Sequence, residues 1–227
     1  MRLQFCLGVR QRNQRLHIAS RYAFPWTLDC LANTLQSVDE HLPRATALLV
    51  IDTQKAIDHP SWGRRNNPGA EANIARLLSA WRHDERPIIH VRHESREPGS
   101  TYLAGQSGCA FKPEAEPAPG ELIVTKHTNA AFIGTELDIL LRRRAINTLV
   151  IAGVITNNSV EATARMAGNL GYTTYVAADA TATFDKRDLD GRLHAAEDVH
   201  ALSLANLHGE YATVRTTEEI IALSVRA

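Results

Sequence analysis

The chain has 227 residues, of which 44% are hydrophobic and 22% are charged, and these proportions are ordinary for a globular protein with one sizeable domain. Its 25 basic and 25 acidic residues give a formal net charge of zero, so no field of one sign is available to hold nucleic acid or an anionic membrane. No apolar run reaches the ~20 residues of a membrane-spanning helix. We therefore expect a small-molecule substrate rather than nucleic acid or a membrane as the partner.

Residues 1–44 precede the first regular pattern of apolar residues and are predicted to form an N-terminal extension. This segment contains several arginines and no acidic residue before Asp29, a composition that weakly resembles a transit peptide. We interpret it as a loosely attached arm, with a targeting segment as the alternative. The chain's three cysteines, Cys6, Cys30 and Cys109, have neither metal-type nor disulfide-type spacing, which favours a reducing compartment and a cytoplasmic protein.

From residue 45 onward, short apolar runs alternate with amphipathic segments. The runs do not alternate in polarity, so they are typical of strands buried on both faces of a parallel sheet. They lie at 45–52, 86–93, 121–125, 147–153, 172–179 and 210–215. Helical patterns lie at 70–84, at 134–144 with Thr135 as N-cap, and at 159–170 before Gly171. This succession predicts an α/β protein with three α/β/α layers around a mostly parallel, six-stranded, Rossmann-like sheet.

The stretch from Glu94 to Gly120 interrupts this alternation. It carries four prolines and contains no periodic segment. A loop of this length inside a compact domain is usually functional, so we predict a lid or a pocket wall, with a floppy insertion as the alternative.

Three residues with chemically capable side chains lie at the ends of predicted strands. Asp52 ends the first strand, Lys126 ends the third, and Ser159 follows the fourth at the start of a helix. Each residue alone has an ordinary structural explanation, as a turn residue, a solvated charge or an N-cap. Ligands of open parallel sheets bind beyond the carboxyl ends of the strands, where all three residues are expected. Their convergence favours a catalytic site.

The segment 149–172 resembles the isochorismatase-like hydrolase superfamily, which includes nicotinamidases, N-carbamoylsarcosine amidases and isochorismatases. The family pattern is a hydrophobic strand followed by G-V-x-T-x-x-C-V-x-x-T-A-R. The matching residues are Gly153, Val154, Thr156, Val160, Thr163, Ala164 and Arg165. Two further blocks match in order and spacing, one with Asp52 and Gln54 and the other with Lys126, Asn129, Phe132 and Thr135. The resemblance covers residues 45–223 and defines an isochorismatase-like hydrolase domain at 45–227.

The resemblance implies a catalytic triad of aspartate, lysine and cysteine, at Asp52, Lys126 and Ser159 of this chain. Lys126 would stabilise an anionic nucleophile at the start of the helix, and Asp52 would accept its proton and later donate it to a leaving amine. The resemblance also implies a cis peptide bond between Val154 and Ile155. Such a bond would turn the Ile155 N–H toward the site, where it would form an oxyanion hole with the Ser159 N–H.

The position of the family's cysteine is occupied by Ser159, and a hydroxyl is a weak nucleophile unless a base lies against it. Three explanations stay open. In the first, Ser159 is the nucleophile that attacks a small amide or carbamoyl-type substrate. In the second, the reaction has no covalent step, as in the isochorismatase branch, where the aspartate protonates a vinyl ether. In the third, serine is an engineered replacement for cysteine. A degenerate member that binds a small molecule without turnover is the non-enzymatic alternative.

Six residues lie in segments that should face the site and are predicted to bind substrate, with loop packing as the alternative for two of the aromatic ones. They are Gln54, Trp62, His93, Tyr102, Gln106 and Phe132. Arg64 and Arg65 are predicted to meet a carboxylate substrate or a neighbouring subunit. Family members are commonly oligomeric, so a homodimer or homotetramer is expected.

The histidines do not follow the metal-binding spacing of nicotinamidases. His59, His90 and His93 are therefore predicted to be neutral packed or pocket-lining residues, and neither a metal nor another cofactor is expected. Cys109 lies in the 94–120 loop, where the sequence places no base or helix start near it. We do not predict it to replace the missing cysteine nucleophile.

Overall fold

The computed structural model describes residues 41–225 of the chain, and eight strands and five α-helices lie in this part. The strands are β1 (Ala47–Ile51), β2 (Ile88–His93), β3 (Leu122–Lys126), β4 (Thr148–Val154), β5 (Thr173–Ala182), β6 (Lys186–Arg187), β7 (Leu193–His194) and β8 (Thr213–Arg215). Six of them form one sheet in the order β3-β2-β1-β4-β5-β8, and all of its neighbouring pairs are parallel. Strands β6 and β7 form a separate antiparallel hairpin.

Helices cover both faces of the sheet. They are α1 (Ala70–His83), α2 (Leu137–Arg143), α3 (Glu161–Asn169), α4 (Ala196–Leu207) and α5 (Thr217–Val225). Apolar residues of α2, α3 and α4 pack on one face, and those of α1 and α5 pack on the other. Successive residues of β1 alternate between these two cores, so an unbroken apolar run is what this strand requires. The predicted three-layer α/β fold is confirmed.

Strand order reverses between β1 and β4, since the chain first builds the sheet toward β3 and then toward β8. A crevice forms at such a switch point, beyond the carboxyl ends of the two strands. The end of β4 approaches β1 closely because residue 153 is glycine, with φ of 118°, and a Cβ there would lie 2.1 Å from the Ile51 carbonyl oxygen. Gly153 therefore sets the distance between the two strand ends that form the crevice.

All six predicted strands and all three predicted helices are present, with two differences at helix starts. A turn of π-helix, Thr156–Val160, precedes α3. Helix α2 begins at Leu137, later than predicted, although the Thr135 hydroxyl still accepts a hydrogen bond from the Leu137 N–H at 3.3 Å. Helices α4 and α5 were not predicted. The buried residues of α4 are Ala196, Ser203 and Leu207, which do not make a continuous apolar stripe.

The segment just before β1 packs into the domain. Leu42 is fully buried, and its N–H donates to the Leu223 carbonyl at 3.0 Å. The Arg86 guanidinium donates to the carbonyls of Pro43 and Ser224, at 2.8 and 2.7 Å. Packing therefore begins before the predicted boundary at residue 45. Residues 1–40 of the predicted extension, with two of the three cysteines, lie outside the described residues. Between residues 41 and 225, no helix has the length and apolar character to cross a membrane.

The loop 94–120 is attached to the domain at several points. Lys112 makes ion pairs with Asp58 at 2.6 Å and with Glu71 at 3.0 Å. Phe111 is buried, and its ring lies edge-on to the ring of His90. These contacts fit the predicted pocket wall and not a floppy insertion.

Candidate active site

The three strand-end residues meet in a buried cluster at the switch point. Lys126 Nζ lies 2.6 Å from Asp52 Oδ2 and 3.2 Å from Ser159 Oγ, and it also donates to the Thr128 carbonyl at 3.1 Å. Lys126 is 0% exposed, Asp52 4% and Ser159 7%, so the ion pair is shielded from solvent. Lys126 reaches this position from β3 by passing over the end of β2. The side-chain nitrogen of Lys126 therefore lies between a carboxylate and a hydroxyl.

Burial also determines the acidity of Asp52. Its pKa is raised because the carboxylate is removed from water, and this effect exceeds the opposing attraction of Lys126 and the hydrogen bonds from Lys126 and Ser159. Among the described residues, Asp52 Oδ1 is buried and has no hydrogen-bond partner. The side chain is therefore a stronger base than an exposed carboxylate and can both accept and return a proton.

The backbone around Ser159 has the geometry that the family resemblance implied. The peptide bond between Val154 and Ile155 is cis, which confirms that prediction. The π-helical turn begins at Thr156 and leads directly into α3, so Ser159 lies at the amino end of a helix. The partial positive charge of a helix start favours a developing anion at this position.

Three of the six predicted substrate residues lie beside the cluster. The Tyr102 hydroxyl donates to the Asp52 carbonyl at 3.2 Å, and the ring of Tyr102 contacts those of His93 and Trp62 edge-on, at 5.5 and 6.4 Å between centroids. His93 is paired in register with Lys126. Burial, with the charges of Lys126 and His127, lowers the pKa of His93 to about 4, so its ring is neutral at pH 7.

The other three predicted substrate residues have different positions. Gln54 is buried, and its amide bonds to the backbone of His93 and to the Cys109 carbonyl, so it ties the loop to β2. Phe132 belongs to the core and stacks on Tyr172. Gln106 is exposed and lines a second cavity with residues of the 55–61 and 99–108 segments.

The arginines and the remaining titratable candidates also have partners inside the chain. Arg64 pairs with Asp185 and Glu197, and Arg65 pairs with Glu71, so the predicted contact of either arginine with a substrate or a subunit stays a prediction. Cys109 Sγ lies 3.2 Å from two backbone carbonyls, and burial raises the pKa of this thiol. A thiol of that kind is a poor nucleophile.

The predicted packed histidines are held by hydrogen bonds or ring contacts. His59 bonds to Ser61, and His90 lies fully buried at 2.8 Å from Glu121. Within residues 41–225, no three or more His, Cys, Asp or Glu side chains converge in a way that could hold a metal ion.

A cavity of about 320 Å³ adjoins the turn that carries Ser159. It is lined by Ser61, Trp62, Ile155, Asn157, Asn158, Thr183, Phe184, Asp185 and Lys186. Trp62 and Phe184 stack at 5.4 Å between ring centroids and form its aromatic wall. The residues at 183–186 were missed because β5 was predicted to end at 179, whereas it continues to Ala182 past an irregularity in its pairing with β4. The strand-end rule, applied to the true end of β5, would have found them.

Known proteins with a similar sequence share this fold. A family model described as the isochorismatase domain matches residues 46–219. The chain belongs to the isochorismatase family, a family of hydrolases.

Similar proteins of the isochorismatase family cover most of the chain. An uncharacterized isochorismatase family protein of Bacillus subtilis, YrdC, is 43% identical over 175 residues, which are 77% of this chain and 94% of that protein. The crystal structure of an isochorismatase-family protein from Chromobacterium violaceum is similar with a TM-score of 0.79 and 55% identity, covering 82% of this chain and 96% of the other. The ureidoacrylate amidohydrolase RutB of Rhizobium rhizogenes is 27% identical, over 61% of this chain and 71% of its own length.

Proposed function

We propose that this isochorismatase-family hydrolase cleaves the C–N bond of a small amide or carbamoyl-type substrate, with Ser159 as the nucleophile. The observation that carries the proposal is the position of Lys126, whose buried ammonium group contacts both Asp52 and Ser159. An ammonium group at 3.2 Å from a hydroxyl favours the alkoxide that must form when the serine attacks.

The reaction proceeds by an acyl-enzyme. Asp52 takes the proton of the Ser159 hydroxyl while Ser159 Oγ forms a bond to the substrate carbonyl carbon. The resulting oxyanion accepts hydrogen bonds from the N–H groups of Ile155 and Ser159. Collapse of this intermediate breaks the C–N bond, and Asp52 returns the proton to the leaving amine. A water molecule then attacks the ester carbonyl carbon while Asp52 takes its proton. The bond between this carbon and Ser159 Oγ breaks, the acid leaves, and Asp52 returns the proton to the serine oxygen.

The substrate is small and has a planar unsaturated part. The cavity that adjoins the turn before Ser159 holds about 320 Å³ and has an aromatic wall formed by Trp62 and Phe184, and it is lined by residues of that turn and not by Ser159 itself. The amide side chains of Asn157 and Asn158 also line it and can donate to and accept from a ureido or amide group. The relation to a ureidoacrylate amidohydrolase agrees with this class of substrate.

The raised pKa of Asp52 favours one other function, the hydrolysis of a vinyl ether of the isochorismate type. In that reaction the protonated carboxyl donates its proton to the substrate carbon, and water completes the hydrolysis. Ser159 would then be a bystander.

The decisive experiment follows product formation by mass spectrometry from ureidoacrylate, N-carbamoylsarcosine, nicotinamide and isochorismate. We expect the wild type to hydrolyse at least one amide, Ser159→Ala to lose that activity and Ser159→Cys to retain it or exceed it. An acyl adduct should appear on Ser159. Cleavage of isochorismate alone, by both wild type and Ser159→Ala, would establish the vinyl-ether reaction. Activity that survives Asp52→Asn would contradict both reactions.

A further inference from the structure

The turn that joins β4 to α3 contains a polar side chain that the proposed reaction does not use. Thr156 is fully buried and lies between Ile155 and Ser159, the residues proposed to hold the oxyanion. Its hydroxyl is directed at α4, where Oγ1 lies 2.9 Å from His200 Nδ1. The side chain therefore connects the turn to a helix that supplies no group to the reaction.

A second residue of α4 contacts the same turn. Ser203 Oγ lies 3.3 Å from the Thr156 carbonyl oxygen and 2.6 Å from Glu161 Oε2, in the first turn of α3. Because His200 and Ser203 are three residues apart, they share one face of α4. That face holds the turn through both the side chain and the backbone of Thr156.

The direction of the hydrogen bond from Thr156 follows from the surroundings of the His200 ring. Burial lowers the pKa of His200, and a hydrogen bond to the Ala178 carbonyl opposes this decrease, so the ring is neutral at pH 7. Nε2 lies 3.4 Å from Asn67 Nδ2, which itself donates to the Ala178 carbonyl at 3.0 Å. Asn67 Nδ2 also donates to the Thr181 carbonyl at 2.7 Å, so both of its protons are used and neither is left for the ring. We therefore assign the ring proton to Nε2, which donates to the Ala178 carbonyl, so Nδ1 accepts the hydroxyl proton of Thr156.

We propose that His200 is a positioning residue, which holds Thr156 and thereby fixes the Ile155 and Ser159 backbone where charge develops on the substrate. This inference rests on the proposed function of the turn as an oxyanion site. Donors stabilise an oxyanion only when they are in place before the charge forms. Loss of the His200 contact should therefore lower kcat more than it changes KM.

The kinetic test uses whichever of ureidoacrylate, N-carbamoylsarcosine and nicotinamide the wild type hydrolyses fastest. We expect His200→Ala to lower kcat by about tenfold to a hundredfold, with KM changed by less than about twofold. His200→Asn should recover most of the rate, because its amide places a hydrogen-bonding atom near the position of Nδ1. Leu202→Ala, on the exposed side of the same helix, is the control. Thr156→Val should match His200→Ala, and the double variant should be no slower than the slower single variant.

Two outcomes of these kinetics overturn the positioning role: an unchanged kcat in His200→Ala, and losses that add in the double variant. Full amide turnover by Ser159→Ala would contradict only the proposed nucleophile. If no amide is hydrolysed, NMR of the ¹⁵N-labelled protein provides the test. Thr156→Val must shift the His200 Nδ1 resonance, and His200→Ala must shift the amides of Ile155 and Ser159 more than Leu202→Ala does. Absence of either shift also overturns it.

Discussion

The chemistry that we propose for this protein depends on the environment of one carboxyl group. Asp52 is buried beside Lys126, and its pKa is raised because removal from water outweighs the attraction of that cation. A carboxyl group with a raised pKa can serve either as a base or as an acid, depending on the form in which the substrate meets it. Which form of Asp52 the enzyme needs separates the two proposed reactions.

The pH dependence of kcat/KM should therefore have opposite signs for the two reactions. Amide hydrolysis needs the carboxylate, so activity should fall as pH decreases through the raised pKa of Asp52. Vinyl-ether hydrolysis needs the carboxylic acid, so activity should fall as pH increases through the same value. Lys126→Gln removes the cation that holds this pKa down, so either profile should move to higher pH, alongside a loss of rate. Initial rates between about pH 4 and pH 9 measure both effects.

His93, next to Lys126 in the sheet, predicts how the fold responds to acid. Its pKa is about 4 in the folded protein and 6.5 as the ordinary value, so between these values the unfolded chain binds more protons. Stability should therefore decrease as pH falls from 6.5 to 4. On acidification over this range, the wild type should lose about 1–2 kcal/mol more of its free energy of unfolding than His93→Asn does. The effect is limited to this size because the ring is only partly buried.

Urea unfolding at neutral and acidic pH gives the measurement for His93→Asn. His83→Asn is the matched control, since His83 is exposed at the end of α1. Equal losses of stability on acidification in wild type and His93→Asn would contradict the prediction.

At the scale of secondary structure, two adjacent strands and the turn after them place the site. Asp52 directly follows β1, and its φ of 48° changes the direction of the chain there. The turn that contains Ser159 follows β4. These two elements can meet because Gly153 lets β4 lie against the backbone of Ile51. The site is thus built from the contact between β1 and β4 as much as from its side chains.

Gly153→Ala should therefore destabilise the fold strongly. Its Cβ would overlap the Ile51 carbonyl and would also require a φ of 118°, so we expect a loss of about 3 kcal/mol or more in the free energy of unfolding. Gly171→Ala is the matched control, since Gly171 has a φ of 86° but no atom lies within 4 Å of the position that its Cβ would take. Its expected cost is about 1 kcal/mol. Equal costs in urea unfolding would show that the contact with β1 is unimportant.

At the scale of the whole molecule, the segment before β1 and the last helix are joined. Leu42 is buried in the same apolar cluster as Ile220 of α5. The Arg86 guanidinium, which follows α1, donates to the carbonyls of both Pro43 and Ser224. Residues 42 and 43 therefore pack with the domain, before the boundary at residue 45 that the resemblance suggested. The homo-oligomer stays a prediction, which sedimentation of the full chain can test.

Truncation should reveal this boundary. We expect a chain that starts at residue 45 to have a free energy of unfolding lower by about 3 kcal/mol than one that starts at residue 41, because it lacks Leu42 and leaves the Arg86 guanidinium with the Ser224 carbonyl but without the Pro43 carbonyl. Leu42→Ala in the full chain should reproduce most of the difference. Thermal and urea unfolding of the three proteins measure it, and identical stabilities would place the boundary at residue 45.

The sequence by itself determined the sheet, the family and the identities of the three residues that meet at the switch point. Runs buried on both faces and residues at strand ends are local features, so they can be recognised without knowing what lies across the sheet. The direction in which each side chain points depends on residues that are distant in the sequence. Gln54 and Phe132 carry motif positions, yet one bonds to backbone 39 and 55 residues away and the other packs on Tyr172.

Only the tertiary structure decided the surroundings of the site. The extension of β5 to Ala182 brings Phe184 and Lys186 to the cavity, and the packing of α4 brings His200 to Thr156, 44 residues away. Neither contact leaves a periodic pattern, because each depends on one polar or aromatic side chain meeting a distant partner. The fold and the three residues of the candidate site could therefore be predicted from the sequence, whereas the shape of the cavity and the contacts of the turn with α4 depended on how the layers pack.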